Sequence, residues 1–210
     1  MPESLAASAL ILAGGASKRF GQPKALIDMA GRPLIARVAA AIASLTDETI
    51  VSVADRALEE RIRSILPRAV FARDVRPGRG PIEGFHRGFR AATGDLLLVA
   101  PCDAPFLQPP LYRLLLDVLE EHDAAVPKFE VLDPVRAVYR RASVLEVLAA
   151  SPEVASPSAL VDRLHCVFVG PDRIRAVDPG LVSFFDMNTH ADLDEALQRM
   201  GSPTGGRGRE

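Results

Sequence analysis

Long apolar runs, cysteines and an imbalance of charge are all scarce in this 210-residue sequence, and each scarcity removes a class of protein. No segment approaches the roughly 18 consecutive apolar residues that a membrane span needs, so no membrane association is expected. The 25 Lys and Arg stand against 27 Asp and Glu, a net charge of −2, which leaves no basic excess of the kind that binds nucleic acid. The two cysteines, Cys102 and Cys166, cannot build a disulfide framework, are not in C-x-x-C spacing, and are expected to be buried free thiols. Residues 1–8 lack both a basic start and a long apolar core, so they read as a short frayed lead-in rather than a secretory signal, and the cytoplasm is the expected location. Residues 201–210 are rich in glycine and have no apolar residue to offset the entropy of ordering. They are expected to be a disordered tail behind a domain spanning 1–200.

The two common nucleotide signatures are missing as well. There is no G-x-G-x-x-G, and the stretch from Gly15 to Gly21 is too long and ends in Gln22 rather than Lys-Ser/Thr, so it is not a Walker A loop. What is present is the apolar run Ala9 to Ala13, which reads as a buried parallel-type strand, stopping at Gly14 and Gly15. Lys18, Arg19 and Lys24 follow with no acid among them. A glycine turn after a strand, followed by cations, can hold a polyphosphate through backbone N–H groups and positive charge. It can equally be a solvated connection to the helix announced by Pro33.

With 48% apolar content the chain can bury one sizeable core, which favours one α/β domain. Leu34, Val38, Ile42 and Leu45 predict an amphipathic helix over 33–45, Thr49 to Val53 a strand, Leu58, Ile62 and Ile65 a helix ended by Pro67, and Ala69 to Ala72 a third strand. This β-α-β-α-β alternation implies a parallel sheet, where ligands sit outside the carboxyl ends of the strands. After the third strand comes Asp74, in a Gly/Pro loop that opens a helix at Pro81. Asp74 either accepts from a ligand's donors or forms an Asx turn. After the central strand Leu96 to Ala100 comes Asp103, either a ligand for a divalent cation or a cap for the next turn. Pro110 to Glu121 is a helix with a leucine core face, Ala124 to Pro127 a short strand, and Pro134 to Arg141 an alternating strand entering a helix at Ala142. By its pattern alone, Arg136 there lies on a solvated strand face. His165 reads as a packed edge histidine, and Arg173 to Val177 and Leu181 to Phe185 as late strands covering an edge. Asp186 and Asn188, two apart on an extended segment, point the same way before a helix capped near Thr189.

Several of these motifs, taken in order, resemble a known family. Leu12-Ala13-Gly14-Gly15-x-Ser17-x-Arg19-Phe20-Gly21-x-x-Lys24, with Gly31-x-Pro33-Leu34, is similar to the signature loop of nucleotidyltransferases that join an NTP to a phosphorylated acceptor. Gly80-Pro81-x-x-Gly84, Pro101-Cys102-Asp103-x-Pro105-Phe106 and the ending Asp186-x-Asn188-Thr189 resemble elements of the molybdenum cofactor guanylyltransferases. The resemblance implies a single-domain three-layer Rossmann-like sandwich with a mostly parallel sheet, of nucleotide-diphospho-sugar transferase type. It implies transfer of GMP from GTP to the phosphate of molybdopterin by a monomer or weak homo-oligomer, with the segment Pro134 to Arg141 facing the acceptor, so that Arg136 binds the acceptor phosphate if it does not lie on a solvated strand face. Arg19, Lys24 and Asp103 are then the catalytic residues. Leu12, Ala13, Gly14, Gly15, Lys24, Asp74, Gly80, Pro81, Gly84 and Asp103 bind the nucleotide, and Asp103, Asp186 and Asn188 hold Mg2+. The chain departs from the family at 156–162, which has no arginine, in its mixed Asp186-x-Asn188, and at His190, where proline is usual. A cytidylyltransferase on molybdopterin or on a sugar or polyol phosphate, a guanylyltransferase for another acceptor, and a catalytically silent nucleotide-binding protein stay open at this point.

Overall fold

A computed structural model describes residues 6–14, 20–76 and 78–201. The elements in chain order are β1 (Ala7–Leu12), α1 (Leu34–Ile42), β2 (Glu48–Val53), α2 (Arg56–Arg63), β3 (Val70–Arg73), α3 (Pro81–Ala91), β4 (Leu96–Pro101), α4 (Pro109–Leu119), β5 (Ala124–Pro127), β6 (Val138–Arg140), α5 (Arg141–Ala150), α6 (Pro157–Val161), β7 (Cys166–Val169), α7 (Pro171–Val177) and α8 (His190–Gly201). The strands form one sheet in the order β3-β2-β1-β4-β6-β5-β7. The first four positions are mutually parallel, with Leu10 of β1 opposite Ile50 of β2 and Val99 of β4. Only β6 is reversed, antiparallel to both β4 and β5.

Side chains alternate between the faces of the sheet because successive residues of a strand point to opposite sides. Ala9 and Ile11 join Leu98 and Ala100 under α1, α2, α4 and α7, while Leu10 joins Leu97 and Val99 under α3, α5 and α6. These two cores make the three-layer sandwich. A third, smaller cluster of Phe20, Ile27, Met29, Leu34, Met187 and Ala196 joins the segment before α1 to α8. The 27–34 segment reverses tightly, with positive φ at Ala30 and Gly31 and an antiparallel bridge between Asp28 and Pro33, as a two-residue primed turn requires.

The helix α3 lies close on the sheet because two of its residues are glycine. A Cβ on Gly84 would stand 2.7 Å from Ser52 Oγ and 2.9 Å from Leu12 Cδ2, and one on Gly88 only 2.3 Å from Leu10 Cδ1. Ile82, Phe85 and Phe89 of the same helix are fully buried.

Several expectations are corrected. β1 starts at Ala7, not Ala9, and Ser8 is fully buried, donating to Glu48 Oε1 at 2.6 Å, so it is no part of a frayed lead-in. Arg173 to Val177 is the helix α7, and Val182–Phe184 is a 3-10 turn rather than a strand. Alternation of Arg173, Ile174 and Arg175 imitates a strand, but Pro171 sits at the helix start and Ile174 is the one buried residue of a helix of about two turns. The edge is covered instead by β7, whose run Cys166-Val167-Phe168-Val169 is bounded by Gly170-Pro171, a strand signal that sequence reading passed over. Pro134 to Ala137 precedes β6 rather than belonging to it. Cys102 is buried, whereas Cys166 is only half-buried. His165 is exposed and stacks on the His122 ring at 4.5 Å. Gly201 closes α8, and the rest of the expected tail, 202–210, lies outside the described residues, as do 1–5. No helix among the described residues is long and apolar enough to cross a membrane.

Gly88→Ala tests the close packing of α3. Alanine gains about 1 kcal/mol of helix propensity, but forcing its methyl against the buried Leu10 costs about 1–3 kcal/mol. The expected outcome is a net loss of up to about 2 kcal/mol and a thermal midpoint lowered by up to about 8 °C. Leu10→Ala should cost less in the Gly88→Ala background than alone, since the two sites share one space.

Candidate active site

The carboxyl ends of β1, β2, β3 and β4 open on one side into a cavity of about 1090 Å³. Its walls include Leu12, Ala13 and Gly14 after β1, Ser52 and Ala54 around the end of β2, Asp74 after β3, Gly80, Pro81 and Gly84 at the start of α3, and Asp103 after β4. Backbone pairing continues just beyond the strands, with Ala13 N–H donating to Ser52 O at 2.9 Å and Asp74 N–H to Val53 O at 2.9 Å, so these residues hold fixed positions at the sheet edge.

At the β3 end, Asp74 lies against the glycine loop: a Cβ on Gly14 would stand 3.2 Å from Asp74 Oδ2. The Asp74 carboxylate meets Ser52 Oγ at 3.5 Å and accepts no backbone N–H among the described residues, so it does not form the alternative Asx turn. Burial, reinforced by the charge of Glu83, pushes its carboxyl up to about 6. Glu83, on the first turn of α3, reaches back to accept from Val75 N–H at 3.2 Å and Arg76 Nε at 3.0 Å. Burial alone would raise Glu83, but these donors hold its carboxyl below the usual range. The loop carrying Asp74 is thereby tied to the helix. Gly80 caps that helix with φ at 69°, a left-handed conformation that glycine adopts without cost.

At the β4 end, Lys24 Nζ donates to Asp103 Oδ2 at 2.7 Å and to Asn188 Oδ1 at 2.6 Å. Met187 N–H donates to Asp103 O at 2.9 Å, which draws the segment before α8 onto the end of β4. Asp103 does not cap α4, whose cap position is Gln108 without a side-chain bond. Thr189 does cap α8, accepting from Asp192 N–H at 3.2 Å. Asp186 is gripped by Arg136 Nη2. The side chain of Arg136 is 4% exposed, and its guanidinium also donates to Asp133 Oδ2 at 2.7 Å and Ser183 O at 2.8 Å. It therefore lies on no solvated strand face. Burial opposes its charge, yet Asp133 and Asp186 hold its pKa above the usual value.

Asp186, with a side chain 42% exposed but set deep in the concave wall, has its carboxyl raised first by burial and then, against the pull of Arg136, by the charge of Asp103. Two carboxylates that repel across one cavity, with the Asn188 amide oxygen beside them, are an oxygen donor set suited to a hard divalent cation. Among the described residues no cluster of three or more His, Cys, Asp or Glu could hold a metal, so an ion here would draw its remaining ligands from phosphate oxygens and water. The cavity thus gathers every expected site residue that can be placed, with Asn188 joined through Lys24. Gly15 and Arg19 lie outside the described residues. Sequence reading missed Ser52, Glu83 and Asp133; Glu83 carried a signal, an acid on the first turn of a helix that opens from a loop.

Comparison with known proteins identifies the family. The profile of the MobA-like NTP transferase domain matches residues 9–167. The molybdenum cofactor guanylyltransferase of Desulfosudis oleivorans is 35% identical over 196 residues, covering 91% of this chain and 94% of that protein. The probable molybdenum cofactor guanylyltransferase of Natronomonas pharaonis is 33% identical over 196 residues, covering 91% and 96%. Among solved structures, molybdopterin-guanine dinucleotide biosynthesis protein A of Archaeoglobus fulgidus superimposes with a TM-score of 0.78 at 26% identity, covering 92% of this chain and 98% of that one. The Anaerococcus prevotii 4-diphosphocytidyl-2C-methyl-D-erythritol synthase, at 14% identity and a TM-score of 0.73, shares the fold. With the profile spanning most of the chain and relatives above 30% identity along nearly all of it, this chain belongs to the MobA-like NTP transferase domain family.

Proposed function

We propose that the chain transfers GMP from GTP to the phosphate of molybdopterin and releases pyrophosphate, acting in the cytoplasm. The observation that carries this reading is the spread of polar groups along one sheet edge. Asp74 follows β3 and Asp103 follows β4, three inter-strand spacings apart in the sheet, which is roughly 14 Å. A nucleotide laid along that edge has its base beside Asp74, Gly80 and Gly84, with Gly14 next to Asp74, and its phosphates beside Lys24 and Asp103. The names of the relatives at 33–35% identity support GTP as the donor and the molybdenum cofactor as the acceptor.

In the reaction, an oxygen of the acceptor phosphate bonds to the α-phosphorus as the bond from that phosphorus to the leaving pyrophosphate oxygen breaks. The attacking phosphate is already ionised near neutral pH, so no side-chain nucleophile is needed and positioning carries much of the rate. Lys24, held by Asp103 and Asn188, places a cation where charge grows on the leaving group. Mg2+, held by Asp103 with Asp186 and Asn188, would supply further charge neutralisation at the phosphate oxygens. Arg136 keeps Asp186 oriented toward the cavity.

Asp103→Asn keeps the shape of the side chain and removes its charge. Turnover in a pyrophosphate-release assay with GTP and molybdopterin should fall by about two orders of magnitude or more, with the thermal midpoint nearly unchanged. Near wild-type turnover at saturating Mg2+ would overturn the role given to Asp103.

Base choice rests on Asp74 accepting from guanine N1–H and N2–H2, donors that adenine and cytosine do not present in that place. A pocket with one or two groups left unpaired loses about 1–3 kcal/mol for each, so GTP should exceed ATP and CTP by about a hundredfold in kcat/KM. CTP winning the competition would move the chain to a cytidylyltransferase reading. Because the Asp74 carboxyl is raised to about 6, it is ionised above that pH and loses its acceptor as pH falls through it. The GTP-to-ATP ratio of kcat/KM, in which the shared triphosphate cancels, should therefore drop by about tenfold from pH 7.5 to 5. In Asp74→Ala the ratio should be low and flat with pH.

A further inference from the structure

A second cavity, of about 320 Å³, opens on the face of α3 turned toward the end of α5. Glu83, His86, Arg87 and Arg90 of α3 line it at i, i+3, i+4 and i+7, the spacing of a single helix face, with Arg76 beside them and Leu148 across from them. His86 is 4% exposed, and neither ring nitrogen has a hydrogen-bond partner among the described residues. Buried polar groups are normally satisfied, and a neutral imidazole left without partners in a cavity wall, its nitrogens closed to solvent, is uncommon enough to point to a ligand that opens the wall as it binds. Burial, followed by the charge of Arg76, lowers the His86 pKa, so the ring offers one N–H donor and one acceptor near neutral pH.

The charges around this ring are one-sided. Arg87 commits Nε to Arg73 O at 3.1 Å, and Arg90 is exposed with no hydrogen bond or ion pair among the described residues. The single lining carboxylate, Glu83, is 1% exposed and already accepts from Val75 N–H and Arg76 Nε. Three guanidinium groups against one occupied carboxylate leave a positive hollow, and guanidinium forks suit tetrahedral oxyanions.

We infer that this hollow is a second ligand site, taking a small multiply charged oxyanion of the phosphate class between Arg76, Arg87, Arg90 and His86, and that its occupancy is felt in the main cavity. The route for that coupling is short. An anion that draws Arg76 away from Glu83 loosens the contact holding the 74–76 loop to α3, and Asp74 in that loop lines the main cavity. The binding part of the inference does not depend on which nucleotide the main cavity takes.

The test is calorimetric titration of the full chain with inorganic phosphate, comparing wild type with Arg90→Glu, His86→Phe and Lys24→Ala. Arg90→Glu and His86→Phe should weaken phosphate binding by about tenfold or more, the value of one charge-assisted bond. Lys24→Ala, which alters the main cavity alone, should leave it within about twofold, as expected for distant sites. His86→Phe should keep a thermal midpoint at or above that of wild type, because it removes an unpaired buried polar group, and this separates lost binding from lost folding. Phosphate should also change the KM for GTP by about fivefold or more in wild type and not in Arg90→Glu. Absence of binding to wild type at millimolar phosphate, or binding lost in Lys24→Ala and kept in Arg90→Glu, would overturn the site. Binding at the hollow with an unmoved KM would overturn the coupling.

Discussion

The missing Cβ atoms of Gly84 and Gly88 set the distance between α3 and the sheet, and much of the cavity's shape depends on that distance. A Cβ at either position would meet side chains of β1 or β2, so the helix can lie this close only with glycine at both. Close approach brings Pro81 and Gly84 level with the strand ends and lets Glu83 reach the loop after β3. One packing constraint in the core therefore shapes the cavity wall at the surface. The same helix presents a second face, with His86 and Arg90, to the second cavity, so α3 is a shared wall between the two.

Electrostatics divides the main cavity into two unlike ends. Near β4 the carboxylates Asp103, Asp133 and Asp186 outnumber the cations Lys24 and Arg136, and every one of these charges has an opposite partner within bonding distance. Near β3 the Asp74 carboxylate has, among the described residues, only a hydroxyl at 3.5 Å, with burial and the charge of Glu83 against it, which is why its pKa moves so far. A charge with strong partners is held in place, whereas a charge with weak partners is available to a ligand.

Legibility from sequence follows the range of the interaction that decides each feature. Leu96 to Ala100 and Ala124 to Pro127 are short apolar runs between breakers, and both are strands almost to the residue. Asp74 and Asp103 could be placed because a parallel sheet puts all its carboxyl ends on one side. Arg136 was not legible in the same way: its burial depends on Asp186, 50 residues away, and on Ser183, and no local pattern carries that. Arg173 to Val177 misled because a single buried residue between two arginines fits either period. The role of Gly88 was equally hidden, since a glycine within a helix has no meaning until the neighbour it makes room for is known.

The Lys24 ammonium joins three widely separated parts of the chain, bonding Asp103 across 79 residues and Asn188 across 164. Contacts of such long sequence separation are slow to form, because loop closure must come before the contact can contribute. During synthesis, β1 to β4 can pair as soon as residue 101 is available, but the cationic node stays incomplete until residue 188 and the helix behind it have been made and docked through Met187 and Ala196. The four parallel strands can thus assemble well before the Lys24 node at the end of β4 is complete, so the sheet forms first and the polar wall of the cavity is closed only afterwards, by a segment far along the chain.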